Sequence, residues 1–345
     1  MKIWKWALFA VMFFAMSGLV ACGGDDDEDG SMEDKKNEAP VVESPANDGP
    51  MPKLEEENFF QTKSNLAGVL TESYESCFQF ETAQLALEGK RVDDKTQVHS
   101  LTPYHENLLH TPFFKAYETI NLANKVMANI SVVLTTDPTF TEEEAASVSA
   151  HSLCLRAFAY YNLAMLWGDI VIVPMAEDVP DDTPIELHQS PATEVFQASL
   201  SDVKEAIQKL SSVSVAALDS KWSFTLEAAL MLQAEIELTL GYSDDALTTL
   251  GKINGDVSFS LIGKEGAMPV YTANHLSLMK KEAQGQTTGL ESEWAPMIDK
   301  YGYWAALKRL QKAQEVTGCY DYELLMPFAD SDLRRFDFLK QNPGY

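Results

Sequence analysis

The feature that most constrains the fold is a series of apolar stripes at helical spacing, which recur along most of the chain. In the clearest stripe, Leu153, Ala157, Ala164 and Trp167 follow one another at intervals of four, seven and three residues. Residues at these intervals share one face of an α-helix, so that face is expected to be buried. Comparable stripes predict helices over residues 113–133, 141–167, 190–210, 224–240, 243–250 and 303–316.

Residues typical of helix ends stand where the stripes begin and stop. Thr141 and Glu144 have the spacing of a capping box, in which each side chain satisfies a backbone N–H that the helix leaves free. Gly168 occupies the position of a left-handed C-cap residue, and Ser190 followed by Pro191 has the order of an N-cap and a first helical residue. The apolar residues 170–174 predict an extended segment between these two helices.

The alternation of helices and short turns resembles a tetratricopeptide repeat, in which each helix pair buries its apolar face on the next pair. The turn at Gly241 and Tyr242, followed by Ala246 and Leu247, is the best local match. Residues 252–297 contain several Gly and Pro, and residues 320–345 are irregular and aromatic. The predicted fold class is therefore all-α, with tetratricopeptide-like helical repeats and irregular loop segments.

The first residues have the pattern of a secretory signal. Lys2 and Lys5 precede an apolar run at residues 7–19, which is too short to cross a bilayer and ends in small residues. The tetrapeptide Leu-Val-Ala-Cys that ends at Cys22 resembles the bacterial lipobox, whose cysteine is acylated. We therefore predict a lipoprotein signal peptide at residues 1–21 and lipidation at Cys22.

Residues 22–57 are predicted to form an acidic, flexible tether that joins the lipid to a domain at residues 58–345. The tether starts with the acidic run 25–29 and is rich in Pro, Glu, Asp, Asn and Ser, so it cannot bury enough apolar surface to fold. Behind a lipobox, such a run resembles the signal that directs Bacteroidetes lipoproteins to the outer face of the outer membrane. An ordinary solvated acidic segment is the alternative interpretation.

Charge and motif spacing argue against several functional classes. The formal net charge of −26 disfavours nucleic-acid binding, which needs clustered Lys and Arg. His105 and His110 are five residues apart, whereas a zinc-protease helix needs two His four apart. We expect no metal, no cofactor and no catalytic residue. Cys154 is expected to be a buried thiol, and a disulfide involving Cys77 or Cys319 stays open.

Several blocks of the sequence resemble the SusD/RagB family. Residues 156–174, RAFAYYNLAMLWGDIVIVP, are similar to the family's central helix and the extended segment that follows it. Residues 323–328, ELLMPF, and the final residues 341–345, QNPGY, are similar to the end that family members commonly carry. Residues 117–130, 190–210 and 224–250 are similar to further family helices in the same order.

The resemblance implies a nutrient-binding lipoprotein of the outer membrane that faces the extracellular side and is not an enzyme. Such a protein acts as the lid of a SusC-like TonB-dependent transporter and captures an oligosaccharide. A peptide ligand is the first alternative. The second alternative is a surface scaffold whose helical repeats bind only protein.

Aromatic side chains outside the regular helices are the candidate ligand contacts, because exposed flat rings with polar neighbours can hold a sugar ring. The candidates are Trp294, Tyr271, Tyr301, Tyr303, Trp222 and Tyr104, the last beside His105. Packing of these rings onto the helices is the alternative. Trp167 and Trp304 are expected in the core, Arg156 is expected to pair with a carboxylate, and Asp169 is expected to cap or bind locally.

Overall fold

Long α-helices joined by short connections make up most of the described chain. The computed structural model describes residues 59–92, 101–175, 186–213, 223–297 and 300–345. Within these ranges the first six α-helices are α1 Lys63–Val92, α2 Glu106–Thr136, α3 Glu142–Trp167, α4 Ala192–Ser212, α5 Leu226–Thr239 and α6 Ser243–Gly251. Consecutive helices from α1 to α6 pack against each other, as the helix–turn–helix rhythm predicts.

The strands are short and belong to two antiparallel pairs. Strand β1 (Ile170–Val171) pairs with β2 (Gln189–Ser190), and β3 (Phe259–Gly263) forms a hairpin with β4 (Gly266–Tyr271). The later α-helices of the described ranges are α7 Ala273–Ala283, α8 Leu290–Trp294, α9 Tyr303–Arg309, α10 Ala313–Thr317 and α11 Asp330–Arg335. The all-α class with irregular segments is therefore confirmed. Among the helices described, none is long and apolar enough to cross a membrane.

Helix α3 lies in the middle of the core and packs against α1, α2 and α4. Every side chain of residues 150–167 except Arg156 is buried. A helix that is apolar on all sides belongs in the interior of a large protein. Trp167 and Cys154 are fully buried, as expected, and Cys154 is a free thiol, as are Cys77 and Cys319.

Arg156 joins the three central helices through its guanidinium group. Its Nε and Nη2 atoms donate to the two carboxylate oxygens of Asp202 at 2.7 and 2.8 Å, and Nη1 donates to Asn124 Oδ1 at 2.8 Å. This confirms the expected pairing with a carboxylate. A bidentate pair with an additional acceptor satisfies most of the buried charge.

The ends of α3 follow the sequence expectation with one difference. The capping box is present, since Glu144 N donates to Thr141 Oγ1 at 3.2 Å and Thr141 N donates to Glu144 Oε2 at 2.9 Å. Gly168 caps the other end with φ +77° but ψ −115°, which lies outside the left-handed helical region. A Cβ atom at this position would lie 2.8 Å from Leu325 Cδ1, so the Leu325 side chain would have to shift, and the backbone angle favours glycine.

Helix α4 begins one residue later than predicted. Ser190 belongs to β2, Pro191 is the N-cap, and Ala192 is the first helical residue. Asp169 Oδ1 accepts from Ala192 N at 3.0 Å, so the cap comes from the segment after α3. The expected capping role of Asp169 is confirmed.

Helix α2 is longer than the sequence pattern predicts, and helix α1 was not predicted. Helix α2 begins at Glu106 rather than Phe113 and contains Pro112, because contacts from the C-terminal segment hold its first turns. Many of the buried positions of α1 are polar, and Ser73 Oγ donates to Thr119 O at 3.1 Å on the facing helix. Because polar residues interrupt the buried face, the sequence of α1 shows no continuous apolar stripe.

The C-terminal third departs most from the sequence expectation. The helix predicted over residues 303–316 is split into α9 and α10, because Gln311 adopts φ +56°. Gly318 ends α10 in the left-handed conformation, as its position indicates. The β3–β4 hairpin lies in residues 252–297, where short alternating runs gave no clear period.

Candidate functional site

Four of the six candidate aromatic residues lie in the core. Trp294, Tyr271, Tyr301 and Tyr303 are between 1% and 3% exposed. The expectation that these rings form an exposed platform is therefore wrong. Trp222 lies outside the described residues, and Trp304 is buried as expected.

Two of the buried rings, those of Tyr271 and Tyr301, belong to a polar network inside the fold. The hydroxyls of Tyr271 and Tyr301 donate to Glu235 Oε2 at 3.0 and 2.9 Å. Arg309 donates to Glu282 Oε1 at 2.8 Å and to Glu235 Oε1 at 3.3 Å. Burial raises the pKa of the Glu235 carboxyl, although Arg309 and the two phenols act in the opposite direction. Buried phenols need such partners, so these tyrosines pack the irregular segment onto the helices.

Among the candidates that the structure describes, Tyr104 is the one whose ring faces solvent, with 79% of its surface exposed. It lies in a turn that precedes α2 and is closed by a hydrogen bond from His105 N to Thr102 O at 3.0 Å. Thr102 N in turn donates to His105 Nδ1 at 3.0 Å. The turn is therefore closed on both sides, which fixes the backbone that carries the Tyr104 ring.

The C-terminal segment holds this turn in place. Asp330 N donates to Pro103 O at 3.0 Å, and Ser331 N donates to Glu106 Oε1 at 3.2 Å. One turn further along α2, His110 Nδ1 lies 2.7 Å from Asp332 Oδ1. The hydrogen bond with Asp332 raises the pKa of His110, against the effect of its partial burial. We call Thr102, Pro103, Tyr104, His105 and Asp330 the Tyr104 surface.

The tail that resembles the family end is built into the fold. Asn342 Nδ2 donates to Trp167 O at 2.9 Å and to Met326 O at 2.7 Å. The Gln341 amide accepts from Phe328 N at 2.9 Å and donates to Phe328 O at 3.0 Å. The tail therefore joins α3 to the segment that positions the Tyr104 surface.

One exposed aromatic ring in this region was not among the candidates predicted from the sequence. Tyr320 is 56% exposed and precedes a single 3₁₀ turn at Asp321–Leu324. Tyr320 follows the helix-ending Gly318 by two residues and lies in an aromatic segment. This position could have indicated an exposed ring.

In the part of the chain that the structure describes, no group of three His, Cys, Asp or Glu side chains could hold a metal ion. The two His residues of the near-motif have separate partners. His105 bonds within its own turn, whereas His110 pairs with Asp332. The site that remains is thus an aromatic surface with polar neighbours.

Known proteins resemble this chain in sequence and in fold. Residues 56–238 match the SusD-like family model described as "Starch-binding associating with outer membrane". The SusD-like protein P2 of Formosa agariphila is 26% identical over 252 residues, which cover 68% of this chain and 48% of that protein. The chain thus matches about half the length of this curated relative.

Solved structures share the fold at low sequence identity. A laminarin-binding SusD-like protein aligns with a TM-score of 0.62 and 12% identity, over 83% of this chain and 100% of the other. The surface glycan-binding protein A from Bacteroides fluxus aligns with a TM-score of 0.58 and 12% identity, over 82% and 100%. Since the family model covers more than half of the sequence, this chain belongs to the SusD-like family.

Proposed function

We propose that this protein is a non-enzymatic glycan-binding lipoprotein of the outer membrane, which acts as the lid of a SusC-like TonB-dependent transporter. The observation that carries the proposal is the SusD-like match over residues 56–238. Its family description names starch binding and the outer membrane. Two structural neighbours are named a laminarin-binding SusD-like protein and a surface glycan-binding protein, which favours a carbohydrate over a peptide ligand.

Tyr104 is the proposed ligand contact. An exposed aromatic ring offers a flat apolar face to the C–H face of a sugar ring, while polar neighbours orient the hydroxyl groups. His105 and Asn107 are exposed beside it, and Asp330 lies on the adjoining segment. Because hydrogen bonds hold the turn, ligand binding requires little ordering of the backbone at Tyr104.

Glycan titration of the purified protein tests this contact. Tyr104→Ala should weaken binding about fivefold, which corresponds to roughly 1 kcal/mol, and Tyr104→Phe should retain binding. Tyr242→Ala is the matched control, because Tyr242 is also exposed but lies at the turn between α5 and α6. Equal losses in both alanine variants, or no loss in Tyr104→Ala, would remove Tyr104 from the site.

The membrane anchor and the partner are tested separately. Cys22 and the acidic run lie outside the described residues, and their roles rest on the lipobox resemblance. Mass spectrometry of the native protein should find fatty acids on Cys22, and Cys22→Ala should release the protein from the membrane, since acyl chains supply the anchor.

Recovery from detergent-solubilised outer membranes tests the lid. A TonB-dependent transporter should be captured with the protein, because a tether keeps the lid at high effective concentration over its partner. Capture of the transporter without measurable binding of any glycan or peptide would favour the scaffold alternative. Binding of peptides alone would change the ligand class.

A further inference from the structure

A pair of stacked tyrosine rings lies at the surface of the C-terminal segment. The ring centroids of Tyr320 and Tyr322 are 5.9 Å apart, and the ring planes differ by only 7°. Tyr320 is 56% exposed, whereas Tyr322 is partly buried beneath the segment's other contacts. One ring of the pair is therefore available to solvent and the other supports it.

The supporting ring is fixed by the end of the chain. Tyr322 makes an edge contact with Tyr345, with centroids 5.1 Å apart and planes at 80°. A Cβ atom at Gly344, which has φ +100°, would lie 2.5 Å from Tyr322 Cγ. Only glycine fits against this ring, so the tail and the aromatic pair are packed together.

A buried ion pair fixes the backbone of the same turn. Tyr320 N donates to Glu323 Oε2 at 2.8 Å, and Glu323 Oε1 accepts from Arg91 Nη1 at 3.2 Å. Both side chains of the ion pair are at most 1% exposed. Arg91 also donates to the Tyr345 hydroxyl, which donates to Leu325 O at 2.8 Å. The turn that carries Tyr320 is thus tied to α1 and to the tail.

The turn and the Tyr322 ring hold the Tyr320 ring in place, while 56% of its surface stays exposed. Ordering an exposed side chain has an entropic cost, and a ring that is already ordered binds a ligand with a smaller cost. The adjacent Asp321 is exposed and can accept hydrogen bonds from hydroxyl groups. The net charge of −26 disfavours anionic ligands near this face.

We infer that Tyr320, supported by Tyr322, is a second sugar-stacking contact, and that its ligand is a neutral pyranose unit of an oligosaccharide. The inference rests on the proposed glycan-binding function and adds a site to it. Stacking uses the C–H face of the sugar, and Asp321 accepts from the hydroxyl groups at its edge.

Titration of the full mature protein with a size series of neutral gluco-oligosaccharides tests the inference. Tyr320→Ala should weaken binding about fivefold, and Tyr320→Trp should restore or strengthen it, because a larger ring offers more stacking area. Tyr242→Ala, which removes an exposed ring elsewhere, should bind as the wild type does. The melting temperature should stay within about 2 °C of the wild type, since the lost ring faces solvent.

The outcomes separate the two proposals. Wild-type binding that Tyr320→Ala leaves unchanged overturns this inference while the glycan-binding function stands. No binding of any glycan by the wild type overturns both. Unchanged glycan affinity with reduced transporter capture by Tyr320→Ala assigns the ring to a protein contact and also overturns the inference.

Discussion

Arg156 is the residue on which the packing of α2, α3 and α4 most depends. Replacing it with Met would leave the Asp202 carboxylate, whose side chain is 15% exposed, without its counter-charge. We expect Arg156→Met to lower the free energy of unfolding by about 3 kcal/mol, measured by denaturant titration. Lys209→Met on α4 is the control. The side chains of the Lys209–Glu205 pair, 3.4 Å apart, are 31% and 57% exposed, so its loss should change stability by less than about 0.5 kcal/mol. Similar losses of unfolding free energy in the two variants would contradict a specific role of Arg156 in packing these helices.

Glu88 should make the stability of the fold dependent on pH. Burial raises its pKa from 4.5 to about 7, against the hydrogen bond from Gln84 and the charge of Lys308. The folded state therefore keeps this proton to higher pH than the unfolded state does. The stabilising contribution is complete below about pH 4.5 and is lost as the pH rises to about 7.

Glu88→Gln should remove the loss of stability that occurs as Glu88 ionises. The variant should match the wild type at pH 4 and be more stable by about 3 kcal/mol at pH 8, measured by denaturant titration at both pH values. The exposed Glu72→Gln is the control for removing one carboxylate from α1. A stability difference that is the same at both pH values would contradict the expected titration of Glu88.

At the residue scale, the sequence predicted burial better than exposure. The positions of Trp167 and Cys154 on a helix that is apolar all round identified them as core residues, and the charge of Arg156 among apolar neighbours indicated a carboxylate partner. Tyr271 and Tyr301 have no periodic neighbours that reveal a buried carboxylate. Their partner Glu235 lies 36 and 66 residues away in sequence, and only the tertiary fold brings the three together.

At the scale of the elements, the start of α3 offers a direct test of local sequence signals. Thr141→Ala removes the side-chain acceptor of the capping box, so the free energy of unfolding should fall by about 1 kcal/mol. Thr135→Ala, near the exposed end of α2, is the control and should have little effect. Denaturant titration measures both. Equal effects would mean that the capping box contributes nothing specific.

The C-terminal tail should stabilise the whole fold rather than only its own segment. Asn342→Leu leaves the buried carbonyls of Trp167 and Met326 without their donor, which should cost about 3 kcal/mol in thermal or chemical unfolding. Asn254→Leu is the control, because the Asn254 amide makes one exposed bond to Lys252 O. A loss confined to fraying of the tail, with unchanged global unfolding, would contradict this.

The predicted helix boundaries agree with the structure where a local capping residue is present. They differ from the structure where contacts with distant residues determine the end of the helix. Thr141, Gly168 and Gly318 carry their signal in the residue itself. The first turns of α2 depend on Ser331, more than 200 residues away, and no local pattern encodes that contact. Helix α1 was missed because polar residues that bond across the helix interface do not look apolar.

For the whole molecule, the large negative charge should restrict the ligands that bind. At low ionic strength, oligosaccharides that carry carboxylate or sulfate groups should bind more weakly than neutral analogues of the same length. Added salt should narrow this difference, because screening reduces repulsion. Titration calorimetry at two salt concentrations measures the effect. Tighter binding of the anionic analogues at low salt would contradict it.

The family resemblance, rather than composition or periodicity, carried the expectation of function. Two of the segments that carry the resemblance, α3 and the C-terminal tail, are joined in the structure by the hydrogen bond from Asn342 to Trp167. The binding surface could not be located in the same way, since it depends on which rings the fold leaves exposed. Tyr104 and Tyr320 are exposed, whereas Trp294 is not.

Incubation of the purified protein with a panel of glycans, followed by binding titration and mass spectrometry of the same samples, tests the central claim most directly. We expect saturable binding of at least one glycan, with every glycan recovered at its original mass. Release of shorter products, or no binding across the panel, would contradict a protein that captures glycans without changing them.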